Sequence, residues 1–188
     1  NNVSLNANAS VSLNGGTLTL NATGNVTQAA GTTIQANTTL VKQGAGTLTL
    51  SEANTYTGLT TISAGTLKLG AAGGATNTPL GTTGSGTSVT SGAVLDLNGF
   101  TLGTAEALTL NGTGISSGGA LTNGSATNVN YSGLITLGSA SSIVANSGDI
   151  NITNAGTITG ATFGLTLGGS GNGSVASIIG TTSGTVTK

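Results

Sequence analysis

The chain of 188 residues contains no cysteine, methionine, tryptophan, histidine or arginine, and its single proline is Pro79. Aromatic residues make up 2% of the sequence and charged residues 4%, against about 25% charged residues in an average soluble domain. A histidine base is excluded, as is any disulfide framework. Cytosolic proteins also lack disulfides, so the absence of cysteine does not by itself assign a compartment.

Charge is also scarce, and it is balanced. The formal net charge is −1, which favours neither nucleic acid nor an anionic membrane as a partner. No run approaches the roughly 18 apolar residues of a membrane helix, and we expect no membrane insertion by this segment. No signal peptide opens the chain at Asn1. We therefore expect residues 1–188 to form one domain that is a segment of a longer protein or fibre.

Glycine is abundant, with 34 residues, and threonine, serine and asparagine fill most polar positions. Leu, Ile and Val recur in short runs in which they alternate with polar residues, as in GGTLTL at 15–20. Such alternation is typical of a strand with one buried face, and it argues against disorder. No segment combines helical spacing with caps. The sequence therefore predicts an all-β fold.

The most regular stretch is 42–70, KQGAGTLTLSEANTYTGLTTISAGTLKLG, which contains two near-copies of one phrase. GAGTLTL at 44–50 is followed by SAGTLKL at 63–69, and the turn-rich ANTYTG at 53–58 lies between them. A strand, a turn and a second strand cannot bury an apolar face alone. Such a unit needs copies of itself above and below, as in a solenoid.

This stretch resembles the strand-loop-strand repeat of bacterial autotransporter passenger domains. The residues that carry the resemblance are Lys42, Gly44, Gly46, the TLTL run, Asn54, Tyr56, Thr57, Gly58, Thr60, Thr61, Ile62, Ala64, Gly65, Thr66, Leu67, Leu69 and Gly70. Glu52 and Leu59 depart from the pattern, which commonly has glycine there. The resemblance implies a right-handed parallel β-helix, secreted and displayed outside the cell.

A coil of about 20–25 residues divides the chain into roughly eight coils, stacked into a rod about 40 Å long. The stretch 70–86 is the least periodic, and we predict that it is a loop excursion from the solenoid. We expect asparagines at equivalent turns to stack in hydrogen-bonded ladders. An antiparallel sandwich is the alternative fold, although large aromatic residues for a two-sheet core are scarce.

Candidate chemistry is thin, because the only acids are Glu52, Asp96, Glu106 and Asp149, and the only bases are Lys42, Lys68 and Lys188. Each acid is interpreted as a solvated turn residue, and Asp96 and Glu106 should face different sides. We predict no enzyme, no catalytic residue, no cofactor and no metal, since a calcium site normally uses several acids. Tyr56 and Tyr131 could be exposed contacts, although Tyr56 more readily packs at a turn.

Threonine pairs raise an alternative function, since flat T-x-T ladders are how some β-solenoids bind ice. The pairs are Thr17/Thr19, Thr47/Thr49, Thr157/Thr159 and Thr185/Thr187, and their uneven spacing shows no regular ladder. Glycosylation sequons at Asn2, Asn8, Asn21, Asn111 and Asn151 are of the number that chance produces in such a composition.

The interpretation favoured by the sequence is a structural or adhesive stalk segment of an extracellular, surface-displayed protein. A self-assembling filament subunit is the first alternative, because SGTVTK at 183–188 echoes TTLVK at 38–42 and uncharged end coils can pair. A carbohydrate-active β-helix is less favoured. Expected partners are neighbouring coils or copies of the same protein, end to end, and host or cell-surface glycans.

Overall fold

A computed structural model describes residues 3–5, 10–11, 16–21, 23–35 and 37–188. Its strands are β1 Val3–Leu5, β2 Ser10–Val11, β3 Gly16–Asn21, β4 Val26–Gln28, β5 Thr33–Ile34, β6 Thr38–Gln43, β7 Thr47–Leu50, β8 Thr60–Ile62, β9 Gly65–Leu69, β10 Thr87–Val89, β11 Ala93–Asp96, β12 Leu108–Gly112, β13 Leu121–Thr122, β14 Val129–Tyr131, β15 Ile135–Val144, β16 Ile150–Ile152, β17 Thr157–Thr159, β18 Leu165–Gly168, β19 Gly173–Val175, β20 Ile178–Gly180 and β21 Val186–Thr187. No α-helix occurs in these residues, and none of their helical segments could cross a membrane.

The strands form a three-sided coil, and the pairs between equivalent strands of successive coils are parallel. Side 1 holds β1, β4, β7, β9, β11, β13, the end of β15, β18 and β21. Side 2 holds β2 and β5, then β14, β16 and β19, and side 3 holds β3, β6, β8, β10, β12, the start of β15, β17 and β20. The predicted all-β parallel solenoid of roughly eight coils is confirmed.

The core consists of aliphatic columns that run along the solenoid axis, because equivalent inward residues stack in register. One column on side 1 contains Val26, Leu48, Leu67, Leu95, Leu121 and Ile143, all buried. Each fully buried side chain of this kind stabilises the fold by roughly 1.5–3 kcal/mol. The alternation that predicts these strands therefore also identifies the inward residues.

Coils differ in length. On side 1, Leu48 and Leu67 are 19 residues apart, whereas Leu67 and Leu95 are 28 apart. The longer coil contains 70–86, in which residues 73–76 and 83–85 are exposed. Residues 78–81 are buried between these two exposed parts, and Leu80 packs in the core. The extra residues therefore protrude in two short turns while the middle of the stretch completes the coil wall.

A second local departure follows β12, where a 3-10 turn, Ile115–Ser117, lies between β12 and β13. Leu95 and Leu121 are consequently 26 residues apart along the chain. Ser116 and Ser117 have φ of 49° and 61°, in the left-handed region that residues other than glycine seldom occupy. The turn packs beside the outer surface of side 1 and shapes the pocket described below.

Candidate functional site

Three of the four acids lie half-buried at corners, where each binds the backbone of a neighbouring coil. Gly31 donates its N–H to Glu52 at 3.1 Å, Gly124 to Asp96 at 2.9 Å and Asn172 to Asp149 at 2.8 Å. The donors are 21, 28 and 23 residues away along the chain. These carboxylates therefore join successive coils at their turns.

Glu106 corrects the interpretation of every acid as a solvated turn residue, because its exposed fraction is 0%. The Thr87 hydroxyl donates to Glu106 Oε1 at 3.0 Å, while Oε2 has no hydrogen-bond partner among the described residues. Burial raises the pKa of Glu106 to about 7, and the Thr87 hydrogen bond opposes part of that rise. Glu106 lies inside the coil just before β12, whereas Asp96 ends β11 on side 1.

The two tyrosines are buried, as expected for Tyr56, whereas the possibility of an exposed contact at Tyr131 is wrong. Tyr56 is hydrogen-bonded to Thr60 Oγ1 at 2.6 Å, and Tyr131 donates to the backbone oxygen of Glu106 at 2.7 Å. Burial raises the pKa of both phenols, and the nearby Glu106 carboxylate adds to the effect. The core therefore contains a polar cluster made of Tyr56, Thr60, Thr87, Glu106 and Tyr131.

Lys42 is buried as well, with 2% of its surface exposed. Its side chain stands in an aliphatic column of side 3, between Leu20 and Ile62. At the corner, Lys42 Nζ donates to the carbonyl oxygens of Gln43, Gly44 and Ala64 at 3.0, 2.8 and 2.9 Å. Burial lowers the pKa of this ammonium group. Because Ala64 belongs to the following coil, Lys42 joins two coils.

Asn54 is fully buried and joins three coils through one amide group. Its Oδ1 accepts from Ile34 N at 2.9 Å and from Gln28 Nε2 at 2.7 Å, both in the preceding coil. Its Nδ2 donates to Pro79 O at 2.9 Å in the following coil. A buried amide whose donors and acceptor are all used fixes the register of its neighbours.

Asparagines elsewhere bind backbone groups of adjacent coils, and this differs from the expected ladders of stacked amides. Asn98 Nδ2 donates to Leu69 O, Asn111 Nδ2 to Val89 O and Asn154 Nδ2 to Ser132 O, each at 2.8–2.9 Å. Corners expose backbone carbonyls that need donors, and an asparagine side chain can supply one.

The outer surface of side 1 carries a shallow pocket of about 230 Å³. Its lining residues are Thr66, Val94, Asp96, Ile115, Gly118, Thr122 and Asn146. Thr66 and Val94 are in-register neighbours on β9 and β11, and Asp96 and Thr122 are neighbours on β11 and β13. Three successive coils thus supply these four residues, while Ile115 belongs to the 3-10 turn, Gly118 follows it directly and Asn146 lies after β15. Only Asp96 is among the candidates considered from the sequence, because the pocket depends on which strands become neighbours.

The outer surface of side 3 carries a column of residues paired in register across eight strands. The column contains Thr19, Val41, Thr61, Ser88, Thr109, Thr136, Thr159 and Gly180. Thr159 Oγ1 donates to Thr136 Oγ1 at 3.2 Å. This column could not be identified from the spacing of T-x-T pairs in the sequence, because coils of unequal length give it no fixed period.

A second cavity, of about 90 Å³, lies near the last coil, with mostly apolar and glycine lining and Lys188 at its edge. Among the described residues, β19, β20 and β21 each pair with one strand only, so each leaves one edge without a strand partner. No group of three histidine, cysteine, aspartate or glutamate residues in the described ranges has a geometry suited to a metal.

These features define the class of protein as a parallel β-solenoid whose coils are joined by buried lysine, asparagine and glutamine side chains. Within it, residues 40–69 match the family model of the passenger-associated-transport-repeat, and this segment is a bacterial autotransporter passenger repeat. The resemblance read from the sequence is thereby confirmed. No curated protein and no solved structure matches the chain.

Proposed function

We propose that this chain is a structural and adhesive stalk segment of a bacterial autotransporter passenger displayed on the cell surface. The passenger repeat at 40–69 and the β-solenoid fold support this assignment. In this role the stalk keeps the target-binding part of the protein at a distance from the membrane. The proposal assigns no enzymatic activity to the chain.

The observation that carries the proposal is the arrangement of polar side chains in the matched segment. Lys42 and Asn54 point inward, and they bind backbone groups in neighbouring coils. A segment that joins its own coil to the coils on both sides suits a load-bearing rod. It also suits folding by addition of one coil upon another once the chain is outside the cell.

Surface display of the chain on a non-adherent bacterium tests the adhesive role. We expect displaying cells to bind host-cell or extracellular-matrix surfaces several-fold better than cells that display an unrelated β-solenoid of equal length. Protease accessibility on intact cells measures display separately. Full display with adhesion equal to the control would contradict the adhesive role.

Coils at the ends of the solenoid support the filament alternative, in which copies stack end to end. Such stacking would use the edges of β19, β20 and β21 that have no strand partner among the described residues. Electron microscopy of the purified chain at low and high concentration distinguishes the two assignments. Long unbranched rods at high concentration support the filament, and isolated particles about 40 Å long support the stalk.

A second candidate function is ice binding, which the outward column of side 3 favours. Five successive strands carry a hydroxyl in this column at a spacing of about 4.8 Å, from Thr61 through Ser88 to Thr159. If this surface binds ice, Thr109→Lys and Thr136→Lys abolish inhibition of ice recrystallisation. Thr49→Lys on side 1 serves as the control, since Thr49 is an outward residue of another face. Absence of any inhibition by the wild-type chain excludes this function.

A further inference from the structure

The pocket on side 1 contains a carboxylate that the backbone holds in one orientation. Asp96 Oδ1 accepts the N–H groups of Asn98 and Gly124, both at 2.9 Å. The other oxygen, Oδ2, lies 4.0 Å from Lys68 Nζ. The Asp96 side chain is 13% exposed and that of Lys68 is 38% exposed. Asp96 lines the pocket, and Lys68, which is not a lining residue, places a donor of opposite charge beside it.

The two charges restrict the chemistry of a ligand. A cation is repelled by Lys68 and an anion by Asp96, whereas a hydroxyl group can donate to the carboxylate and accept from the ammonium group. Thr66 and Thr122 add hydroxyls, and Asn146 adds an amide. All of these groups can form hydrogen bonds with a ligand that carries several neighbouring hydroxyl groups.

The apolar part of the lining completes the match. Val94 and Ile115 line the same pocket, and Ile115 is 44% exposed on the 3-10 turn. Aliphatic side chains beside hydrogen-bonding groups suit the C–H face of a sugar ring. A volume of about 230 Å³ is below the roughly 300–1,000 Å³ of drug-sized sites, and it fits a ligand of about one monosaccharide.

We propose that this pocket, built on Asp96 and Thr122 with Lys68 beside it, is a binding site for one unit of a neutral saccharide. The sugar hydroxyls bridge Asp96 Oδ2 and Lys68 Nζ, and the ring lies against Val94 and Ile115. The inference rests on the proposed adhesive function and names a ligand class for it. The 3-10 turn has the role of a wall that the regular coil does not supply.

The test uses the whole chain, probed with an array of neutral hexose, N-acetylhexosamine and uronic-acid oligosaccharides, followed by titration calorimetry on the best neutral binder. We expect Asp96→Asn and Lys68→Met to weaken binding of that oligosaccharide at least about tenfold, because each removes a charge-assisted hydrogen bond. The matched control is Asp149→Asn, which alters a corner carboxylate of the same kind outside the pocket. Its affinity should equal that of the wild type.

Because Asp96 also binds two backbone N–H groups, Asp96→Asn can impair folding, and circular dichroism checks this. If Asp96→Asn does impair folding, the binding test rests on Lys68→Met and Asn146→Ala, since both side chains are more exposed than that of Asp96. An array without any neutral saccharide signal overturns the site, as does equal affinity in Lys68→Met, Asn146→Ala and the wild type. If displaying cells adhere while the array is empty, the saccharide site fails and the proposed adhesive function stands.

Discussion

At the scale of single residues, the least expected feature is the set of ionisable side chains inside a chain with so few charges. Glu106 and Lys42 are two of only seven formally charged residues, and both are buried. Neither has a buried partner of opposite charge among the described contacts. Glu106 is instead hydrogen-bonded to a hydroxyl group, and Lys42 to backbone carbonyl groups. The effects of these hydrogen bonds on stability can be measured.

Stability should depend on pH through Glu106. Its pKa of about 7 in the folded chain exceeds the ordinary value of 4.5, so the folded state retains a proton that the unfolded state loses. The free energy of unfolding should therefore fall as pH rises from about 4.5 to 7, by up to about 3 kcal/mol, and change little above that. Glu106→Gln should remove this decline, as measured by urea unfolding at pH 4, 5.5, 7 and 8.5.

A companion variant, Thr87→Val, should change the pH dependence of stability in the opposite direction from Glu106→Gln. Thr87→Val removes the hydroxyl that donates to Glu106 Oε1, and it should destabilise the fold more at pH 8.5 than at pH 4. Identical pH profiles for the wild type and Glu106→Gln would contradict the assignment of the titrating group.

Lys42→Met should lower the free energy of unfolding by roughly 1–3 kcal/mol. The thioether fills much of the same column, but three backbone carbonyls lose their donor. Lys68→Met is the matched control, since its half-exposed ammonium group is worth at most about 1 kcal/mol. Equal effects of the two substitutions would show that the corner carbonyls do not depend on Lys42.

At the scale of strands and coils, side chains of the passenger repeat join three coils: their own, the one before and the one after. Its side 1 strands, β7 and β9, pair in register, so Leu48 stacks on Leu67 and Leu50 on Leu69. Gly65, with φ of 67°, allows the corner to form where a Cβ would lie 2.4 Å from Gly46 O. The alternating leucines give the strands their apolar face, while the polar residues of the motif position one coil on the next.

Asn54→Ala should destabilise the coils on both sides of the substitution. Four hydrogen bonds of its amide group are lost, and the N–H of Ile34 and the carbonyl of Pro79 are left without this partner. We expect hydrogen exchange to accelerate at least tenfold at the amides of residues 34, 78 and 80–82. Asn111→Ala, which removes one bond to Val89 O, should change exchange only near its own corner. Acceleration confined to residue 54 would argue against a role across coils.

At the scale of the whole molecule, each coil contacts mainly its two neighbours, and stability is then approximately a sum of coil interfaces. The final coil has a neighbour on one side only within the described part of the chain. Low charge along the rod means that little repulsion opposes contact between ends. If copies of this chain stack end to end, as in the filament alternative, a change at this coil should affect that association most.

In the filament alternative, Ile178→Lys should suppress association between molecules and leave the fold intact. Ile178 is 65% exposed on β20, and an added ammonium group there opposes pairing of the strand edge. Leu134→Lys, at a site 52% exposed and before β15, is the control that should associate like the wild type. Sedimentation velocity at several concentrations measures the difference. Equal association of both variants would rule out this end as the interface.

Much of the fold follows from the sequence alone. The alternation of Leu, Ile and Val with threonine and other polar residues requires strands with one buried face, and the repeated phrase at 44–50 and 63–69 requires stacked copies. The inward leucines, such as Leu48 and Leu67, could be identified from this period, since a strand turns alternate side chains to opposite faces. The family of the 40–69 segment is also a property of its residues in order.

Only the tertiary structure decided which residues of different coils become neighbours. Coils of 19–28 residues leave no fixed period, so the column from Thr19 to Thr159 and the pocket around Asp96 arise from strand register rather than sequence spacing. Burial of Glu106, Lys42 and Asn54 depends on the same register, because a polar residue in or beside a strand can face the core when a coil above or below supplies its hydrogen-bond partner.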